Sequence, residues 1–248
     1  MKLPRAINSP NLIETIIEVR IFPNPELDRA LWAGILAPAM SAAGYKYQSI
    51  PQLCVVPEGV NSVKLTMDRE EENSAITLFV NDDCGVRVLL NGPTVSFNCR
   101  KGKYIGWDNY FVKIAEVLGI IDSAKIALNY DRSMIRFISE YDFNILDHVD
   151  FEVNSHSDKR YNTREICLSR KDENAVAYIS ITDRRERFAP MGKESHLSSL
   201  FDVNVFEKLK ENASLEDVRI ALNHIHQIEK EAFFGLLKED FIKTLNPV

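Results

Sequence analysis

Two histidines and a glutamate stand close together near the C-terminal end, in His224-Ile225-His226-Gln227-Ile228-Glu229. A histidine beside a carboxylate suits general acid–base work, because the carboxylate orients the ring and stabilises its protonated form. On a helix His226 and Glu229 are neighbours at i, i+3, whereas His224 and His226 point about 200° apart around the axis. The spacing therefore offers one His–Glu pair and no two-histidine face of the HExxH kind. His226 and Glu229 are the catalytic candidates, no metal site is expected, and the competing reading is a hydrogen-bonded helix histidine at an internal interface.

A second candidate is Arg136, in the run Met134-Ile135-Arg136-Phe137-Ile138. An arginine in mid-strand is costly if buried alone, so it requires a carboxylate, and Glu14 or Glu18 on the opening strand is the expected partner. Either the group is a structural ion pair, or its guanidinium fork takes an anion or a peptide carboxylate. Two basic clusters could hold phosphates: Arg100-Lys101-Gly102-Lys103 before Tyr104, and Asp183-Arg184-Arg185-Glu186-Arg187 before Phe188. The binding candidates are thus Arg136, Glu14, Arg184 and Arg185. Asp82 and Asp83 stand in a turn, where their side chains have local backbone to bond. The serines lack GxSxG or SxxK surroundings, and no glycine run makes a dinucleotide or P-loop cradle, so no cofactor is expected.

The elements that must position these groups follow from hydrophobic period. Leu12 to Phe22 alternates, with Thr15, Ile17, Val19 and Ile21 on one face and Glu14, Glu18 and Arg20 on the other, as a half-buried strand does. Leu27, Leu31, Ile35 and Ala39 then recur at helical spacing up to Gly44. Tyr47–Val56, Val63–Asp68, Ala75–Val80, Val86–Leu90 and Thr94–Cys99 read as consecutive antiparallel strands, joined by links rich in Asn, Asp and Gly. Trp107 to Leu118 returns to helical spacing, with Gly119 as the expected stop. Met134–Ser139, Glu165–Ser169 and Ala175–Thr182 read as strands, and the Arg184 cluster as a loop after the last. Ser214-Leu215-Glu216-Asp217 resembles a capping box that opens a long final helix. The expected fold is α+β: two related halves, residues 1–128 and 129–248, each an antiparallel sheet with a packed closing helix, sharing one core.

With 248 residues, 45% of them hydrophobic and 27% charged, the chain can bury a substantial core, which excludes collagen-like and disordered classes. The formal charge of −6 gives no global attraction for phosphate backbones, leaving nucleic acid a minority reading through the basic loops. Cys54, Cys84, Cys99 and Cys167 are widely spaced and form no CxxC pair, which points to reduced thiols. No apolar leader and no membrane span are visible, so a cytoplasmic location is expected.

Several of these segments together resemble a sporadically distributed family of uncharacterised prokaryotic proteins about as long as this chain. The resemblance is carried by Ser9-Pro10-Asn11-Leu12-Ile13-Glu14, by Val95-Ser96-Phe97 followed by Tyr104, Trp107 and Phe111, by Met134 to Ile138, and by Leu222, His226 and Phe233. It implies an α+β fold and no assigned activity, and its sporadic distribution fits genes that travel between genomes. The expectation is a non-enzymatic protein-interaction module with a protein partner, in a multi-protein or defence-type system. The alternatives are a nuclease- or phosphoesterase-like hydrolase centred on His226, Glu229 and Arg136, and a nucleic-acid-binding protein.

Overall fold

The computed structural model describes residues 11–49, 76–150, 165–186 and 197–245. Strand β1 spans Leu12–Pro23; a short 3-10 turn at Arg29–Leu31 leads into helix α1, Trp32–Ala42. Strands β2 (Lys46–Gln48), β3 (Thr77–Asn81), β4 (Val86–Asn91) and β5 (Thr94–Arg100) precede helix α2, Trp107–Ser123. Then come β6 (Ala127–Tyr141), β7 (Glu165–Asp172), β8 (Ala175–Glu186), β9 (Leu197–Ala213), α3 (Leu215–Gly235) and α4 (Glu239–Thr244).

The described strands form one antiparallel sheet in the order β2-β3-β4-β5-β1-β6-β9-β8-β7, so the fold is α+β. Alternation fixes its two faces. Ile17, Val19 and Ile21 of β1, Val95, Phe97 and Cys99 of β5, Ile135 and Phe137 of β6, and Val203 and Val205 of β9 point to one side and are buried. Against them α2 lays Tyr110, Ile114, Val117, Leu118 and Ile121, and α3 lays Val218, Leu222, Ile225 and Ile228, all in a single core cluster. Each such aliphatic side chain contributes roughly 1.5–3 kcal/mol by leaving water, which is what holds the helices on that face.

Several expectations are corrected by longer-range packing. Helix α2 runs through Gly119 to Ser123, because Ile121 continues its buried stripe; the stop is Lys125, which takes a left-handed φ of 54°. Strand β6 begins at Ala127, seven residues before the expected Met134, so position 128 lies inside it. The Arg184 cluster is not in a loop: β8 continues to Glu186, with a register shift between Thr182 and Arg185. Strand β9 has no counterpart in the sequence reading, although Phe201, Val203 and Val205 alternate with Asp202 and Asn204. The expected strand Val63–Asp68 and most of Tyr47–Val56 lie outside the described residues.

The final helix starts as its sequence indicates. Ser214 Oγ accepts from the Asp217 amide at 3.3 Å while the Ser214 amide donates to Asp217 Oδ2 at 2.8 Å. Replacing Ser214 by Ala is expected to cost about 1 kcal/mol, read as a lower urea midpoint at unchanged slope.

Candidate functional site

All described helices lie on the core face, and no described element covers the opposite face of the sheet. Strand register sets out that open face as rows. One row crosses six strands in direct register: Arg87 on β4, Asn98 on β5, Ile16 on β1, Arg136 on β6, Asn204 on β9 and Tyr178 on β8. On β1 the neighbouring residues of that face are Glu14 and Glu18, opposite Ile138 and Met134.

At the centre of this face Arg136 is held in a bidentate pair by Asp202 of β9. Its Nε donates to Oδ1 at 2.9 Å and its Nη2 to Oδ2 at 2.6 Å, with the two side chains 23% and 20% exposed. The expected partners Glu14 and Glu18 do not make the contact. A neighbour on an adjacent strand of the same face is closer than either, and the β1 carboxylates act on Arg136 only as charges. Hydrogen bonding to Asp202 raises the guanidinium's proton affinity, burial opposes this, and the charges of Asp202, Glu14 and Glu18 add to it. Glu18 also accepts from the Ser96 hydroxyl at 3.2 Å. Beside the pair is an open concavity of about 290 Å³, lined by Arg136, Asp202, Asn204, Tyr178, Ser180 and Cys167. Within it Asn204 Oδ1 is buried without a hydrogen-bond partner.

His226 and Glu229 sit on the other side of the sheet. The His226 ring stacks on Trp107 at 4.1 Å between centroids and on Phe137 at 5.9 Å, and the Trp107 indole N–H donates to Asn223 at 3.1 Å. Glu229 lies 3.5 Å from His226 Nδ1, too far to satisfy that nitrogen, which is buried without a hydrogen-bond partner. The histidine that does bond a carboxylate is His224, whose Nδ1 is 2.8 Å from Glu207 of β9. Because Phe137 faces His226, the preceding residue, Arg136, must face away. In the expected hydrolase centre Arg136 is therefore separated from His226 and Glu229 by the thickness of the sheet.

The remaining candidates have local roles. Asn81 Oδ1 accepts from the amides of Asp83 and Cys84 to form the β3–β4 turn, and Asp82 makes an exposed ion pair with Lys46 at 3.8 Å. Arg100 ends β5, and its carbonyl accepts from the Lys103 amide in the following turn. Arg185 pairs with Ser198 through the backbone; the side chains of Arg184 and Arg185 lie outside the described residues. Among the described residues no three of His, Cys, Asp and Glu converge as a metal site would need. Asp202 is the residue the sequence reading missed, and the signal for it was the period-two alternation of Phe201, Val203 and Val205 around it.

Burial also sets the titration of the core. It pushes Tyr141 up to about 12 and Cys99 up to about 11, and raises Tyr45, Tyr104, Tyr110 and Tyr130 further. For Tyr104 the nearby Glu229 charge adds to the burial effect.

No family model matches the chain, and no curated protein matches it. Among solved structures it is similar to the substrate-free duplicated taurocyamine kinase from Schistosoma mansoni. The identity is 11% over 89% of this chain and 32% of that one, with a TM-score of 0.41. This chain spans about a third of that structure's length, and a likeness at this level carries no argument.

Two outcomes follow from the geometry. Asp202→Ala, which strands a half-buried guanidinium, is expected to cost about 2 kcal/mol, whereas Arg136→Met with Asp202→Leu stays within about 1 kcal/mol of wild type; a double-mutant cycle in urea measures both. Since the thiol and phenols have raised pKa values in the fold, their contribution is complete below their ordinary values of 9.0 and 10.0. It is lost as pH rises through the folded values, because the unfolded chain releases those protons first. Urea midpoints should therefore fall steadily above pH 9.0, and a flat profile up to about 11 contradicts the assignment.

Proposed function

We propose that this protein is a non-enzymatic interaction module that binds a protein partner on the open face of its sheet, as a component of a multi-protein, defence-type system. The observation that carries the reading is the one-sided placement of the helices. A sheet face left bare by every described helix, with Ile16, Met134, Phe206 and Tyr178 among its charges, has the mixed apolar and polar character of an interaction surface. Its central charge pair is already satisfied, so it orders the face without offering a reactive group.

The proposal includes two related halves, residues 1–128 and 129–248. Support comes from the strand order. β1 and β6 lie side by side at the centre, β1 flanked outward by the four antiparallel strands β5, β4, β3 and β2 and β6 by the three strands β9, β8 and β7, and a helix follows β5 and β9, the strands next to the central pair. One sequence offset carries Phe97 to Val205, Tyr110 to Val218, Ile114 to Leu222 and Val117 to Ile225, all of them buried. The same offset carries Leu118 to His226 and Ile121 to Glu229, which supports reading those polar residues as members of a helix core stripe. No described helix is long and apolar enough to cross a membrane, and the described cysteines Cys84, Cys99 and Cys167 are free, which supports a reducing, cytoplasmic setting.

The test is co-purification from a lysate of the source cells with wild type and Tyr178→Asp, a variant at a half-exposed open-face position. A stoichiometric protein retained by wild type and lost from the variant is the expected result. Recovery of the chain alone from both, under gentle and low-salt conditions, overturns the reading.

A further inference from the structure

One row of the open face breaks a rule of sheet design. Arg20 of β1 lies directly opposite Arg132 of β6, and Arg132 lies directly opposite Lys208 of β9. Like charges in direct cross-strand register destabilise a sheet, and here three cations occupy neighbouring positions about 10 Å from end to end. Local compensation is thin. Arg20 Nε is 3.6 Å from Asp131, with the arginine side chain half exposed, and the Arg132 guanidinium rests 5.9 Å above the Phe206 ring. Lys208 is exposed and meets no counter-charge among the described residues. Phe206 in turn stacks on Tyr178 at 5.9 Å and 24°, and Tyr178 is 51% exposed.

We infer that this row is the contact site for an acidic, aromatic-bearing peptide segment of the protein partner, an inference that rests on the interaction reading above. Two or three carboxylates of such a segment pair with Arg20, Arg132 and Lys208, and an aromatic or aliphatic side chain covers the Phe206–Tyr178 pair. The stability lost to repulsion in the free protein is recovered when carboxylates enter, which makes the row selective for anions. The length of the row and its surroundings favour a peptide over nucleic acid. The cations stop after three strands, and further along the same face stand Glu18, Glu14 and Asp202, which repel a phosphate backbone running on from the row.

The experiment uses the full chain and three labelled probes: a peptide of glutamates flanking a central tryptophan, its lysine counterpart, and single-stranded oligothymidylate, each followed by fluorescence anisotropy. The acidic peptide should bind and weaken with added salt, and the lysine peptide should not bind. Arg132→Glu and Lys208→Glu should each reduce affinity about tenfold or more. Lys208→Gln, at an exposed position, should keep or raise the urea midpoint while weakening the peptide. No preference for the acidic peptide, or oligothymidylate binding as tightly and lost in the same variants, overturns the inference. If the acidic peptide fails while the Tyr178→Asp variant still loses a co-purifying protein, the interaction reading stands and this site falls.

Discussion

The pairing of β1 with β6 is the constraint on which the rest of the structure depends. Every other described strand attaches to one or the other of these two, β5 with its meander to β1 and β9 with its meander to β6. Their ladder extends from Leu12–Ser139 to Pro23–Ala127, and its parity decides what each side of the sheet can do. Ile17 and Ile135 meet on the helix side, Ile16 and Arg136 on the other. A helix-covered core and an exposed charged surface are thus produced by the same two segments, one residue out of phase.

That separation places His226 and Glu229 on the helix side and Arg136 on the other. His226 and Glu229 have the spacing of an acid–base pair, yet one is pressed between Trp107 and Phe137 and the other is 7% exposed, with Asn223 taking the indole hydrogen bond. The His226 ring is only 15% exposed and its Nδ1 is buried without a hydrogen-bond partner, so no carboxylate fixes its orientation as a general base requires. The aromatic stack instead ties α2, α3 and β6 to one another.

Much of the fold could be read from local pattern. The two faces of β1 were legible in Thr15, Ile17, Val19 and Ile21 against Glu14, Glu18 and Arg20, the start of α3 in Ser214 and Asp217, and the hairpin from β4 to β5 in Asn91-Gly92. What escaped depends on long-range partners. Strand β9 ends in the charged run Glu207 to Asn212, which masks its alternation, and without β9 neither Asp202 nor Glu207 could be offered to Arg136 or His224. Arg136 and Asp202 are 66 residues apart, and only the β6–β9 register brings them together. Gly119 misled because a glycine ends a helix only when no buried stripe continues past it, and Ile121 continues it.

The irregularities in the β1–β6 ladder bear on how such a chain can change length over evolutionary time. The ladder is in unbroken register from Glu14–Ile138 to Arg20–Arg132, and the shifts fall outside it, between Leu12 and Glu14, between Arg20 and Ile21, and between Phe22 and Pro23. Inserting or deleting one residue inside the regular stretch would exchange Arg136 with Phe137 in orientation, placing a guanidinium against His226 and Tyr104 and an aromatic ring on the opposite face. At the bulged ends an extra residue is absorbed by a local kink and leaves the parity of the centre intact. Single-residue length variation among relatives should therefore concentrate at the bulges, while the stretch between them tolerates exchange of side chains and no change in their number.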